Sequence, residues 1–261
     1  MKFPEMFDLT GKVALITGAA SGLGIAFAEA MAEAGADVVC SDINEQGLEN
    51  TVIDIKRMGR KSLAVPCDVT REDQVVALIA KTVDAFGRVD ILFNNAGISD
   101  NTNDIPKRLH EYSTEWWNRV IAVDLQGVFY CAREALKVMV SQGSGKIINV
   151  ASIWGLSGSS AILPAPAYCS AKGAVVNLTR ELGIEYAPLG INVNALCPGF
   201  YVTKLGGYDD PEFMKAIRAH IPMGREAQPE EIKAVAIFLA SSASDYMCGQ
   251  TLVMDGGIAA K

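Results

Sequence analysis

The sequence of 261 residues predicts an α/β fold: a doubly wound parallel sheet of seven strands in a single domain, residues 1–261. Three observations predict it. Short apolar runs alternate with longer helical patterns, the runs are apolar throughout rather than at every second position, and no Gly/Ser/Pro-rich linker divides the chain. Strands that are apolar on both faces are typical of a parallel sheet covered by helices on each side. Right-handed strand–helix–strand crossovers then give a Rossmann-like arrangement.

The individual elements follow from the same patterns. Six helices are predicted between the strands because apolar residues recur there at helical spacing. They are Gly22–Ala34, Glu45–Met58, Arg71–Phe86, Thr114–Val140, Ala167–Tyr186 and Pro229–Ser241. The predicted strands are Val13–Thr17, Val38–Asp42, Leu63–Val69, Val89–Asn94, Lys146–Ala151, Ile191–Leu196 and Leu252–Met254.

Two stretches fit neither pattern. Ser99–Ser113 is polar, and Gly199–Gln228 is long, aromatic and basic. Both follow a predicted strand, and parallel sheets bind ligands at the carboxyl ends of their strands. We therefore interpret 199–228 as a substrate loop, with an ordinary surface connection as the alternative.

Composition narrows the function. A net charge of -7 and a pI near 5.0 argue against nucleic acid and anionic membranes as partners, and the basic residues are scattered. Six cysteines without a Cys-x-x-Cys pair and only two histidines predict no metal site. We find no signal peptide and no run of apolar residues long enough to cross a membrane, so a cytoplasmic enzyme of small molecules is expected.

A glycine-rich turn follows the first predicted strand and opens the first helix. Glycines there permit a tight turn, close approach of the backbone to a pyrophosphate, and close packing of helix on strand. The helix N-terminus supplies free N–H groups to the anion. A turn without a ligand is the alternative, but its place between strand and helix favours a dinucleotide. The predicted contacts in this turn are Gly18, Ser21, Gly22, Leu23 and Gly24.

Asp42 ends the second predicted strand, 18 residues after Gly24. A carboxylate there accepts hydrogen bonds from both hydroxyls of an adenosine ribose and repels a 2'-phosphate. No Arg or Lys follows closely, and none lies in the glycine turn. The predicted cofactor is therefore NAD rather than NADP. An ordinary solvated Asp in a turn with Asn44 is the alternative.

Tyr168 and Lys172 are four residues apart in a predicted helix, so they project from one face. An ammonium near a tyrosine favours the phenolate and lowers the pKa of the phenol, which suits general acid/base chemistry. Ser152 ends the fifth predicted strand, where its hydroxyl could hydrogen-bond a substrate oxygen. A helix cap or a turn is the alternative for this serine.

These segments together resemble the short-chain dehydrogenase/reductase family, in its shorter, single-domain branch. The matching segments occur in order along nearly the whole chain. They are the glycine turn from Thr17, Asn94-Asn95-Ala96-Gly97, Ser152, Tyr168-x-x-x-Lys172, and Pro198-Gly199 with Thr203, joined by Asp68-Val69 and Asp255-Gly256-Gly257.

The resemblance implies roles for these residues. Tyr168 would be the general acid/base, Ser152 would hold the substrate oxygen, and Lys172 would lower the Tyr168 pKa and bind the nicotinamide ribose. Trp154 and Phe200 are expected to contact the substrate with Ser152 and Tyr168. The remaining predicted cofactor contacts are Ile43, Asp68, Val69, Asn95, Ala96, Gly97, Pro198, Gly199, Tyr201 and Thr203.

The chain departs from the family at Asp124, where the family usually has an Asn in a water-linked proton path to the lysine. An ionised Asp accepts hydrogen bonds but cannot donate them. It would stabilise the Lys172 ammonium and partly cancel its field at Tyr168. We include Asp124 in the catalytic set; a kink in the helix that supports the same water is the alternative.

The 16 residues from Ser152 to Tyr168 exceed the usual spacing, which predicts a rigid rim beside the pocket over Ser157–Pro166.

The predicted activity is hydride transfer between NAD and a small secondary alcohol or ketone: a cyclic alcohol, a polyol or a hydroxy acid. Trp154, Lys204, Tyr208, Arg218 and Arg225 suit several of these substrates. A 3-oxoacyl reductase and a non-catalytic NAD-binding regulator are the alternatives.

The resemblance also implies a homotetramer or a dimer, with Val128, Phe129, Ala132, Leu136 and Val140 covering a second subunit or the chain's own sheet.

Overall fold

The computed structural model describes residues 4–100, 108–159, 162, 164–203 and 211–260. They contain one parallel sheet in the order β3-β2-β1-β4-β5-β6-β7, so the predicted doubly wound fold class is confirmed. The order reverses between β1 and β4, and ligands of such sheets bind at this switch point. The strands are β1 (Val13–Thr17), β2 (Asp37–Asp42), β3 (Ser62–Pro66), β4 (Ile91–Asn94), β5 (Gly145–Val150), β6 (Ile191–Pro198) and β7 (Thr251–Met254).

Helices flank both faces of this sheet. In the described part of the chain, none of them is long and apolar enough to cross a membrane. Their bounds are α1 (Gly22–Glu33), α2 (Glu45–Arg57), α3 (Glu72–Phe86), α4 (Thr114–Ile121), α5 (Gly127–Gln142), α6 (Pro166–Tyr186), α7 (Pro211–His220) and α8 (Lys233–Ala240).

Side chains of each strand alternate between two cores, as the period of two requires. Ala14 and Ile16 of β1 pack on the face covered by α1, α2 and α8, where Phe27 stacks on Phe93 with ring centroids 4.8 Å apart. Leu15 packs on the opposite face, against α3 and α5. Burial on both faces explains why the strands read as continuous apolar runs in the sequence.

The prediction of one continuous helix over Thr114–Val140 is wrong, because the helix is interrupted near its middle. It is divided by a π-helical turn at Ala122–Gln126, in which the Gly127 N–H bonds the Ala122 carbonyl, and α5 continues to Gln142. Asp124 lies buried within this turn, with its Oδ1 3.2 Å from the Lys172 Nζ. Such π-bulges are frequent at functional sites.

Further differences from the prediction lie at β3, at α8, which begins at Lys233 rather than Pro229, and in the 199–228 segment. β3 ends at Pro66 rather than Val69, because the chain turns at Asp68, whose Oδ1 accepts bonds from the Thr70 N–H (2.9 Å) and hydroxyl (2.7 Å). The 199–228 segment, predicted to be irregular, contains α7. Met214 and Ile217 of this helix are buried together with Ile221, which directly follows it, and their spacing in the sequence was a helical signal that the loop interpretation missed.

Candidate active site

A cavity of about 620 Å³ opens at the carboxyl ends of the strands. Every residue predicted for the catalytic, cofactor or substrate set lines it, from Gly18 in the first loop to Thr203 after β6. The predicted site residues therefore lie together in space, although their roles are not tested by this placement. Lining residues outside the predicted set include Asp100, Arg119, Ser159 and Ile217.

The glycine turn begins with a left-handed residue and ends at an uncapped helix. Gly18 has φ +69°, and a Cβ on Gly24 would lie 1.9 Å from the Gly18 carbonyl oxygen, so only glycine lets α1 start against this turn. Ser21 precedes α1, and its side chain caps none of the helix N–H groups. An uncapped N-terminus facing a cavity suits the phosphates of a dinucleotide.

Asn95 supports this turn from the neighbouring strand. Its side-chain amide donates to the carbonyls of Thr17 (2.9 Å) and Gly18 (3.2 Å). The Thr17 hydroxyl in turn accepts the N–H groups of Asn95 (3.0 Å) and Ala96 (3.1 Å). The predicted contact of Asn95 with a cofactor is thus accompanied by a structural task that fixes the loops after β1 and β4.

Asp42 is oriented by two backbone donors at the end of β2. Oδ2 accepts the Ala20 N–H at 3.0 Å, and Oδ1 accepts the Asn44 N–H at 2.9 Å. Ile43 beside it is 73% exposed at the cavity edge, which suits contact with a flat adenine ring. This geometry presents a fixed carboxylate, an acceptor for ribose hydroxyls.

Ser152, Tyr168 and Lys172 meet between β5 and α6. The Ser152 hydroxyl accepts the Trp154 N–H at 3.1 Å, and Ser152 lines the cavity together with Tyr168. Lys172 is 3% exposed; its Nζ donates to the Val150 carbonyl at 2.9 Å and lies 5.5 Å from the centre of the Tyr168 ring. A phenol, a hydroxyl and an ammonium therefore converge at one end of the cavity.

Asp124 is fully buried directly behind Lys172. Its Oδ1 lies 3.2 Å from the Lys172 Nζ, and its Oδ2 accepts the Ile98 N–H at 3.0 Å. Gly97 covers the pair, since a Cβ there would lie 2.6 Å from Oδ1. Asp124, which stands where the family usually has an Asn, thus forms a buried ion pair with Lys172. Lys172 is the lysine that is expected to assist Tyr168.

The protonation of this group differs from the sequence-based expectation. Burial raises the pKa of Tyr168; Lys172 lowers that pKa, but Asp124 raises it again, and the net shift is upward. For Lys172, burial alone would lower the pKa, but Asp124 and Tyr168 outweigh burial and raise it. Burial also raises the pKa of Asp124, against the opposing effects of Lys172 and the Ile98 N–H. Lys172 thus stays an ammonium whose effect on Tyr168 is partly cancelled.

Part of the cavity wall is aromatic. Trp154 and Phe200 contact each other edge to face, with ring centroids 6.1 Å apart. Phe200 also packs against the apolar side of α7. Tyr201 is 3% exposed, and its hydroxyl has no hydrogen-bond partner among the described residues, so this side chain forms part of the wall rather than a gate.

Two arginines of the predicted substrate loop form ion pairs with glutamates outside the cavity. Arg218 forms two bonds of 3.0 Å with Glu226, and Arg225 forms two of 2.8 Å with Glu231. Neither lines the cavity. Lys204 and Tyr208, which the sequence placed in the same loop, lie outside the described residues, as does part of the predicted rim at 160, 161 and 163.

Asp100 is a buried acidic residue of the cavity wall that lies outside the predicted set. It is 5% exposed and lines the cavity between the Gly97 loop and α6. Its only sequence signal is a carboxylate three residues after Gly97, at the start of a polar stretch. Among the described residues, no group of three or more His, Cys, Asp or Glu is arranged to hold a metal ion.

Known proteins share this fold and much of this sequence. A family profile described as "Enoyl-(Acyl carrier protein) reductase" matches residues 18–259. The chain is 42% identical to cis-4-hydroxycyclohexanecarboxylate dehydrogenase of Sinomonas cyclohexanicum, over 95% of this chain and 97% of the relative. It is 36% identical to the NAD-dependent glycerol dehydrogenase of Listeria innocua, over 99% and 98%.

A solved structure agrees over almost the whole chain. The gluconate 5-dehydrogenase of Burkholderia cenocepacia, in complex with NADP and tartrate, superposes with a TM-score of 0.91 at 36% identity, covering 98% of each chain. Its family uses nicotinamide cofactors, and the same ordered motifs surround the cavity of this chain. The chain belongs to the short-chain dehydrogenase/reductase family.

Proposed function

We propose that this protein is an NAD-dependent dehydrogenase of a small secondary alcohol, with Tyr168 as general acid/base. The observation that supports this most is the contact of Ser152, Tyr168 and Lys172 in the same cavity as the glycine turn and Asp42. A nicotinamide bound in this cavity would supply hydride transfer to and from the substrate carbon. The residues of the chain then handle the proton and the orientation of the substrate.

In alcohol oxidation, the substrate hydroxyl would lie between Ser152 and Tyr168. The Ser152 hydroxyl holds the substrate oxygen, and the Tyr168 phenolate takes its proton. Lys172 stabilises the phenolate from behind, fixed in place by the Val150 carbonyl and Asp124. In ketone reduction the same groups act in reverse, with Tyr168 donating its proton to the developing alkoxide.

Our proposal of NAD over NADP rests on Asp42. Its carboxylate is fixed by the N–H groups of Ala20 and Asn44, and the next residue is Ile43, so a 2'-phosphate would meet a negative charge without a neighbouring cation. The Listeria innocua relative is named as NAD-dependent, whereas the Burkholderia cenocepacia structure contains NADP. The relatives therefore differ in their dinucleotide, and the fixed carboxylate of Asp42 is what favours NAD in this chain.

For the substrate we propose a small cyclic alcohol, polyol or hydroxy acid. The aromatic pair Trp154 and Phe200 offers an apolar surface, while Ser152 and Tyr168 offer hydrogen bonds. The names of the relatives cover a cyclic hydroxy acid, glycerol and gluconate. Arg218 and Arg225 pair with glutamates and do not line the cavity, so neither supports a charged substrate, whereas Arg119 does line it.

Two other functions have less support. The name of the family profile, which refers to acyl carrier protein, favours a reductase of carrier-bound acyl groups, including the 3-oxoacyl reductase considered from the sequence. The acidic net charge and Asp42 disfavour an acidic carrier and NADPH. A non-catalytic NAD-binding regulator would be expected to lack one of Ser152, Tyr168 and Lys172, and all three are present.

Activity measurements separate these functions. The purified protein is assayed for NADH and NADPH formation with cyclic alcohols, linear secondary alcohols, polyols and sugar acids, with Tyr168→Phe as the blank. NADH formation that disappears in the variant supports the proposal. Binding of NAD without turnover of any alcohol, or of the matching ketones in reverse, would favour the regulator; reduction of only 3-oxoacyl thioesters would favour the reductase.

We also propose a homotetramer, with a dimer as the fallback, in the cytoplasm. Of the five α5 residues predicted to cover a second subunit, Val128, Ala132 and Leu136 are buried in the chain's own core. Phe129 and Val140 are each 43% exposed and remain available. Light scattering that gives a monomer mass would contradict the assembly.

A further inference from the structure

A buried carboxylate outside the predicted catalytic set contacts the helix that carries Tyr168. Asp100 follows β4 by six residues, is 5% exposed, and lines the cavity. A carboxylate is seldom buried to this extent unless it is paired or hydrogen-bonded. Its partners therefore indicate its task.

The first partner is the backbone of Tyr168 itself. The Tyr168 N–H donates to Asp100 Oδ2 at 3.0 Å. Tyr168 is the third residue of α6, and the N–H groups of a first helical turn have no acceptor within the helix. Ala165 precedes the helix and cannot cap it with its side chain. Asp100 thus caps α6 from another loop, and its negative charge lies at the positive end of the helix dipole.

The second partner is Tyr112, whose hydroxyl donates to Asp100 Oδ1. Tyr112 lies two residues before α4, the helix that leads into the π turn with Asp124. Each oxygen of Asp100 therefore receives one donor, and the buried charge is compensated. The same carboxylate connects the start of α4 to the start of α6.

This connection fixes the backbone of Tyr168, whereas the proposed catalytic residues lie around its side chain. Ser152 and the phenol line the same cavity, and Lys172 is held one turn later by Val150 and Asp124. The backbone of Tyr168 is held by Asp100. We infer that Asp100 is a positioning residue, which caps α6 so that the Tyr168 hydroxyl stays aligned with Ser152 and the substrate oxygen. This inference rests on the proposed role of Tyr168.

The test compares Asp100→Ala with Asp100→Asn. Alanine removes the acceptor of the Tyr168 N–H. Asparagine keeps it, because its carbonyl can accept that N–H while its amide donates to the Tyr112 oxygen. We expect kcat of Asp100→Ala to fall by about tenfold to a hundredfold, because misalignment near the reacting atoms affects the chemical step. KM and the NAD dissociation constant should change by less than about threefold. We expect Asp100→Asn to recover kcat to within about threefold of the wild type.

Other outcomes overturn the inference. An unchanged kcat in Asp100→Ala would show that the cap is not needed. A raised KM at constant kcat would make Asp100 a substrate contact. Equal loss of kcat in both variants would mean that the charge acts, rather than the cap. If Asp100→Ala does not fold, Asp100→Leu combined with Tyr112→Phe replaces it, because this double variant also removes the acceptor of the Tyr168 N–H but leaves no unpaired Tyr112 hydroxyl. The same fall in kcat at constant KM is expected, and an unchanged kcat overturns the inference.

A measurement without substrate separates this inference from the proposed function. Hydrogen exchange of the Tyr168 amide is expected to be faster in Asp100→Ala than in the wild type and nearly normal in Asp100→Asn. Equal exchange in all three proteins overturns the cap even if the enzyme is active. If the wild type oxidises no alcohol but the amide follows this pattern, the proposed function fails while the contact that Asp100 supplies is retained.

Discussion

The Lys172 ammonium lies 3.2 Å from the Asp124 carboxylate, and both side chains are buried beneath Gly97. This pair stands where the family usually has an amide and a lysine. It holds the lysine charged and also reduces its effect on Tyr168, because Asp124 raises the pKa of both groups. The pair therefore tunes the proposed base rather than only supporting it.

Asp124→Asn is expected to change the pH dependence more than the maximal rate. The carboxylate raises the Tyr168 pKa, so its removal lowers that pKa and moves the rising limb of kcat/KM for alcohol oxidation to lower pH. We expect less than about a hundredfold loss of kcat, the low end of a general acid–base contribution. A pH–rate profile checks this. A limb that moves to higher pH, or a larger loss, would show that the carboxylate itself takes part.

Lys172→Met is expected to destabilise the fold as well as abolish activity. It leaves Asp124 buried without its partner, which costs about 3 kcal/mol of unfolding free energy at neutral pH. Adding Asp124→Asn to this variant removes the unpaired charge and should recover part of the stability without activity. Denaturant titrations of both single variants and the double variant give the coupling energy. Additive losses would mean that the two groups do not act as a pair.

Gly24→Ala tests the glycine turn. A Cβ at this position would meet the Gly18 carbonyl at 1.9 Å, so we expect about 1–3 kcal/mol of lost stability together with weaker NAD binding. Gly158→Ala is the matched control, since its Cβ would meet nothing within 4 Å. Thermal unfolding and a binding titration with NAD measure both effects. Equal behaviour of the two variants would contradict the packing argument.

Asp42 and Ile43 are expected to set the choice of dinucleotide. The wild type should favour NAD over NADP by at least about tenfold in kcat/KM, and Asp42→Ala with Ile43→Arg should reverse this, because a guanidinium replaces the repelling carboxylate. Asp54→Ala removes an exposed carboxylate of α2 and serves as the control for net charge. Steady-state kinetics with each dinucleotide decide the matter; a wild type that prefers NADP would refute the assignment.

Much of this architecture could be predicted because it depends on short-range rules. Apolar runs such as Val13–Thr17 fix the strands, the glycines fix the first turn, and the order of a doubly wound sheet brings Asn95 and Ser152 to one edge. The contact of Asp100 with Tyr168 could not be predicted, since it joins residues 68 positions apart through a backbone N–H. The pairing of Arg218 with Glu226 depends on how α7 packs, and no local pattern shows it.

The role of Asp124 could be predicted in part. The sequence showed a carboxylate in place of an amide and predicted its effect on Lys172 and Tyr168. It did not show the π turn at Ala122–Gln126, because an extra residue in a helical turn depends on what the turn packs against. The upward shift of the Tyr168 pKa was likewise missed, since burial exceeds the effect of Lys172 only in the folded chain.

If Tyr168 transfers the proton in the cavity that binds NAD, its hydroxyl is needed for turnover but not for binding. NADH formation by the wild type and Tyr168→Phe, measured with the best alcohol of the panel alongside NAD binding to both proteins, tests this. We expect a loss of at least about a hundredfold in kcat with an unchanged NAD dissociation constant. Equal rates for the two proteins would contradict it.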